Sequence, residues 1–236
     1  MRFQKSLGSA AAQLAIVLVA TSVFYALTQE GIGSYLLLLP SGVLKAHFLW
    51  QPFSFALIET SAPGVIFGAL ITWSIGSALE QTWGPRKLLV FALGTTVASG
   101  FLTVALAIPL PNLRTLFFAG GGAMTTSLWV AYGLSYGRRQ TQFFGLPLSG
   151  NVFALIGIGF VFLNGAFAGP GGFFRIVPDA FAIGLTAAFL KLEGPRMWLL
   201  RLGSWRLRRQ MRSRAKHLKL IVKNRNTPDD SDNYLH

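Results

Sequence analysis

Long stretches without charge alternate along this chain with short charged or turn-forming punctuation. No Asp, Glu, Lys or Arg lies between Lys5 and Glu30, Glu59 and Glu80, Lys87 and Arg114, or Arg114 and Arg138. Each interval can hold the roughly 20 helical residues that cross a ~30 Å hydrocarbon core. A fifth apolar stretch lies between Arg139 and Arg175, after an approach containing Gly and Pro. A sixth, shorter one follows Arg175 and carries Asp179 near its start. The predicted spans are Ser9–Thr28, Pro63–Trp83, Leu88–Leu110, Leu116–Ser135, Gly150–Phe167 and Ile176–Leu192. This pattern predicts an all-α integral membrane domain over residues 1–193 and a tail over 194–236. The first helix reads as a retained span, because no small-residue cleavage site followed by a soluble domain is present.

Composition supports the same class. The 236 residues are 52% hydrophobic and 12% charged, with mean hydropathy +0.51. A soluble domain carries about 25% charged residues. The absence of cysteine excludes disulfides, thiolate metal sites and cysteine nucleophiles. No cofactor or metal is expected, and no inverted repeat is visible.

The net charge of +13 is concentrated in place. With six spans, Arg2, Lys5, Arg86, Lys87, Arg138, Arg139 and every cation from Lys191 onward fall on one side. Only Lys45, Arg114 and Arg175 fall on the other. Cationic loops resist translocation, so both termini are expected in the cytoplasm, in a cell (inner) membrane, with an endomembrane as the alternative. The tail interleaves Arg201, Arg206, Arg208 and Arg209 with Trp198 and Trp205. That mixture suits a helix on an anionic leaflet, and lipid headgroups are the expected partner in place of nucleic acid. A plain topology signal is the simpler reading. Thr227–His236, with three Asp, reads as an acidic tip.

One connection is unusual. Gly31 to Ser61 is apolar but broken by Gly33, Pro40, Gly42 and Pro52, and its Tyr35–Leu39 run is too short to span. Apolar irregular backbone must be buried in protein or lie in the interface, so a semi-inserted first loop is predicted on the outer side.

Several local features have a structural reading beside a functional one. Glu80, near Arg86 and Lys87, reads as an anchor before an ion ligand. Asp179 reads as the cap of the last helix. Ser149 or Asn151 caps the fifth span. Gly64 and Gly68 permit close helix packing, and Gly120–Gly122 permit a tight approach into the fourth helix. Thr125 and Ser127 read as small polar packing residues, and His47 as an interfacial loop residue.

Trp50-Gln51, the closure Gly76-x3-Glu80-x3-Gly84, the helix opening Gly120-Gly121-Gly122-Ala123 and the run Ala180-Phe181-Ala182-Ile183-Gly184-Leu185 resemble the rhomboid family of intramembrane serine proteases, the peptidase S54 fold. That resemblance implies a six-helix rhomboid-like bundle. It also places Gly122 (or Gly121, with a one-residue slip) at the nucleophile, Phe181 at the base, and Gly64 and Gly68 at the oxyanion pair. The family's first-loop histidines fall on Phe55 and Glu59. Gly122, Phe181, Gly64 and Gly68 cannot serve as nucleophile, base or oxyanion donors there, so the resemblance implies a pseudoprotease that binds transmembrane segments of clients in quality control, trafficking or assembly.

The residues support the non-catalytic reading by themselves. The three histidines are His47, His217 and His236, none inside a predicted span. Lys45, Lys87 and Lys191 lie at span ends or in loops. Glu80 and Asp179 lie at opposite membrane faces, which argues against an acid dyad, and no His-Glu-x-x-His motif exists. The alternatives are an active rhomboid protease, a transporter-like subunit, and a scaffold acting through the tail.

Overall fold

A computed structural model of the protein describes residues 8–138, 140–143 and 146–191. Nearly all fall in one compact unit, Met1–Leu190. Arg201, Trp205, Arg206, Arg208 and Arg209 lie outside the described residues.

Six helices of 15 residues or more are present among the described residues: α1 (Ala10–Thr28), α4 (Ala62–Trp83), α5 (Pro85–Leu106), α6 (Gly121–Tyr136), α7 (Gly150–Phe167) and α9 (Val177–Lys191). Short helices α2 (Pro40–Ala46), α3 (Gln51–Ser54) and α8 (Gly172–Arg175) lie in the connections. Four helices, α1, α4, α5 and α7, are long and apolar enough to cross a membrane. The other two, α6 and α9, have 16 and 15 residues, fewer than the expectation of six full spans requires. The all-α expectation is also corrected. Strands β1 (Gln140–Phe143) and β2 (Leu146–Ser149) form an antiparallel hairpin before α7, with Gln140 opposite Ser149.

The N-terminus of α1 shows why the chain folds this way locally. The first four N–H groups of a helix lack partners within it. Here Ser9 Oγ accepts from Ala12 N–H at 3.1 Å, and Ser9 O accepts from Gln13 N–H at 3.0 Å. Of these groups, two more are taken by Glu80, whose carboxylate oxygens accept from Ala10 N–H at 3.0 Å and Ala11 N–H at 2.9 Å, while the Gln13 bond is the first of the helix's own ladder. Nearby, Gly76 lets α4 close on α1: a Cβ there would stand 3.1 Å from Ala11 Cβ. Gly84, at φ +82°, turns α4 directly into α5. Glu80 is thus an anchor between two helices, with both oxygens occupied.

The main core gathers Leu14 and Leu18 of α1, Ile75 and Leu79 of α4, Leu88 and Phe91 of α5, Met124 and Leu128 of α6, and Phe153 of α7. The centre is α6, packed on α4, α5 and α7. Gly133 and Gly150 bring α6 and α7 into backbone contact, since a Cβ on Gly133 would lie 2.6 Å from Gly150 O. Small residues at crossings are how helices gain packing when the surrounding solvent is itself apolar. Many large side chains face outward, among them Val90 (73% exposed) and Leu155 (65%), as expected of helices lying in hydrocarbon.

The first loop forms a second core. Leu38, Val43, Phe55 and Ala56 pack on Val104, Ala107, Leu113 and Phe118. Its backbone is satisfied by protein. Leu38 and Phe118 exchange N–H···O bonds of 3.0 and 2.9 Å, and buried Gln51 accepts from Leu39 N–H at 3.1 Å. These bonds explain a displaced boundary. Leu116–Gly120, expected to be helical, is extended against the loop, and Gly120 N–H donates to Phe55 O at 2.8 Å. The third span, expected to reach Leu110, stops at Leu106 just before the Pro109/Pro111 segment, where a residue preceding proline disfavours helix.

Candidate functional site

Both α4 and α7 pack on α6 from either side without packing substantially on each other. Between them runs a cleft of about 200 Å³. One wall is Gly64, Phe67, Gly68 and Ile71 of α4. The floor is Gly122, Thr125, Thr126 and Trp129 of α6. The other wall is Gly157, Phe160, Val161 and Asn164 of α7, and Glu59, Ser61, Ile176 and Asp179 close one end. The rims Phe67 and Phe160 are 64% and 55% exposed, so the cleft opens sideways.

The floor is shaped by missing side chains. A Cβ on Gly68 would stand 3.2 Å from both Leu18 Cδ2 and Thr125 Oγ1, and one on Gly157 would meet the Trp129 ring at 3.0 Å. Trp129 is fixed by its Nε1–H, which donates to Phe153 O at 2.9 Å, and by stacking on Phe153. Thr125 donates to Gly121 O at 2.8 Å, its hydroxyl spent on its own helix. Gly64 serves the turn at the start of α4, where a Cβ would press within 2.5 Å of Ser61 Oγ.

The closed end carries the charge. Glu59 is held by α1: its N–H donates to Ser22 Oγ at 2.9 Å, and Thr21 donates to Leu57 O. Glu59 Oε1 accepts from Thr60 N–H at 3.0 Å and, at 3.4 Å, from Ser61 N–H and hydroxyl. Asp179 is the third residue of α9, inside its first turn, so it is not the residue before the helix that the expected cap requires. A Cβ on Gly122 would lie 3.4 Å from Asp179 Oδ1 and 3.5 Å from Glu59 Oε2. Two carboxylates therefore converge on the one floor position that has no side chain. Among the described residues neither has an ionic partner.

The structure brings Gly64, Gly68 and Gly122 to this cleft together. Phe181 is not among its lining residues, whereas Asp179 is. Two residues along a helix turn the side chain by about 200°, to the opposite face. Glu80, with Gly76 and Gly84, belongs to the other end of α4, and Gly184 is exposed with nothing within 4 Å of its Cβ position. Trp50 is an exposed loop residue, its Nε1–H donating to Tyr35 O at 3.3 Å beside Phe48. Sequence reasoning set aside an acid dyad because Glu80 and Asp179 lie far apart, and it missed Glu59. The signal was present: Glu59 precedes and Asp179 opens an apolar helix.

A family model described as Eukaryotic integral membrane protein (DUF1751) matches residues 12–189. No curated protein matches the chain. The match corrects the resemblance to rhomboid proteases. The matching family is widely known as rhomboid-like, but it is not the rhomboid peptidase family. The motif that suggested peptidase ancestry has a local cause here, since Gly76, Glu80 and Gly84 hold α1, α4 and α5 together. Glycine-rich apolar helices match one another easily, which is why the resemblance arose.

Proposed function

The chain belongs to the family of eukaryotic integral membrane proteins DUF1751, and from that premise we propose that it holds transmembrane segments of other proteins in the lateral cleft between α4 and α7 without cutting them. The observation that carries this reading is the sideways opening between the exposed rims Phe67 and Phe160, over a floor that has no side chain at Gly122. A groove that lacks side chains lets a foreign helix approach closely, and close approach is a main source of helix affinity in lipid. The non-catalytic part is supported by the absence of histidine from every span and by the hydroxyl of Thr125 being committed to its own helix. The cation distribution supports six membrane-embedded helices with both termini in the cytoplasm and the closed, acidic end of the cleft at the other face.

The test is photo-crosslinking from probes replacing Phe67 and Phe160 in native membranes, with Val90 as a lipid-facing control. Discrete protein adducts at the two cleft positions and lipid adducts at Val90 are expected. Lipid alone at all three positions sinks the proposal. The two carboxylates favour one second reading, acid–base cleavage of the bound segment. It requires that the captured partners be shortened, and intact partners discard it.

A further inference from the structure

A glycine floor alone would accept any narrow helix, yet this cleft ends in two carboxylates. Glu59 has its Oε1 tied to its own loop, which leaves Oε2 facing the open position above Gly122. Asp179 presents Oδ1 to the same position from α9. The nearest cation in sequence, Arg175, is exposed and makes no interaction with Asp179. Like charges at a half-buried site repel and are costly to desolvate, and a cation placed between them relieves both effects. The space is kept free by the missing side chain of Gly122.

Resting on the membrane-segment reading above, we infer that the segment taken by this cleft carries a Lys or Arg close to its outer end, and that Glu59 and Asp179 together receive it. The cleft has room for one side chain of a helix that lies along its rims. Its wall follows α4 from Gly64 to Ile71, a length of about 10 Å, and its rims are the apolar rings of Phe67 and Phe160. A single cation at the end of an apolar stretch matches that layout: apolar surface along the rims and charge at the closed end. No group of three or more metal-ligating side chains occurs among the described residues, so the pair falls short of a metal cage. A cation in a membrane segment is costly unless paired, so the pair selects segments that other surroundings leave uncompensated.

The test uses the full chain in lipid vesicles, with a photo-crosslinker replacing Phe160. The probes are three synthetic single-span Leu/Ala helices bearing Lys, Leu or Glu one turn from the outer end. The expected order of capture is Lys above Leu above Glu, with Lys ahead of Leu by about tenfold. Glu59→Gln and Asp179→Asn should each cut the ratio of Lys-helix to Leu-helix capture several-fold. Glu59→Lys should move the preference towards the Glu helix. If a variant also loses the Leu helix, the order in the unaltered chain decides. Equal capture of the Lys and Leu helices overturns this inference and leaves the groove reading standing. Capture of none of the three, or of lipid only, overturns both.

Discussion

Replacing Glu80 removes the carboxylate partners of two helix-end N–H groups, and the cost follows from the structure. Its two oxygens accept from Ala10 at 3.0 Å and Ala11 at 2.9 Å, on a helix 70 residues earlier in the chain. A hydrogen bond to a charged group contributes about 1.5–3 kcal/mol when desolvated, and the negative charge also complements the dipole of α1. Glu80 is half-buried, so water can replace part of what Glu80→Ala removes. The net loss should be about 2–3 kcal/mol. For a chain of this size that is a fall in Tm of about 4–12 °C. Glu80→Gln keeps one acceptor and loses the charge, so it should fall about halfway. The assay is thermal unfolding in detergent, with limited proteolysis ahead of Ala10 to report fraying of α1. If Glu80→Ala unfolds at the wild-type temperature with no new cleavage near Ala10, the two bonds contribute nothing and the account of the Gly76–Gly84 region is wrong.

Four further outcomes follow from the glycines. Gly133→Ala drives a Cβ into backbone, 2.6 Å from Gly150 O, and should cost about 3 kcal/mol or more, read as lost thermal stability. Gly94→Ala meets nothing within 4 Å in the middle of α5 and should stabilise by up to about 1 kcal/mol in the same assay; destabilisation there would show an unseen neighbour. Gly84→Ala places a side chain at φ +82°, ψ 160°, a region nearly exclusive to glycine, and should cost about 1–3 kcal/mol. Gly68→Leu forces a side chain against Leu18 and Thr125, already 3.2 Å from the Cβ position, and should cost about 1–3 kcal/mol in the same assay.

Helix interiors were legible because hydropathy reports burial in lipid. The fifth span was read with both ends correct, since Ser149 supplies a local cap, its Oγ accepting from Val152 N–H at 3.4 Å. Boundaries set by distant partners were not. Leu116–Gly120 is as apolar as a helix, but its backbone bonds go to Leu38 and Phe55, and no window along the chain contains both. The Gln140–Ser149 hairpin was hidden for a related reason, because each strand has only four residues. In the candidate site, Gly64, Gly68 and Gly122 were singled out by the rhomboid-like register. The Glu59–Asp179 pairing was not, because those residues are joined only by how the first loop and α9 meet over α6. Phe181 was selected by a motif match, and helical periodicity turns it away from the face that holds Asp179.

The bond between Glu80 and the start of α1 also sets an order of assembly. When α1 emerges during synthesis, the N–H groups of Ala10 and Ala11 have no carboxylate to meet, because Glu80 has not yet been made. At about 5–20 residues per second, that wait lasts roughly 4–14 s. Through that interval α1 sits in the membrane with a frayed first turn, open to whatever acceptor the insertion machinery or a chaperone offers. Arrival of the α4 terminus ends the exposure and locks the first and second long helices in register, so this short acidic latch divides an early, escorted stage of biogenesis from a later, self-supporting one.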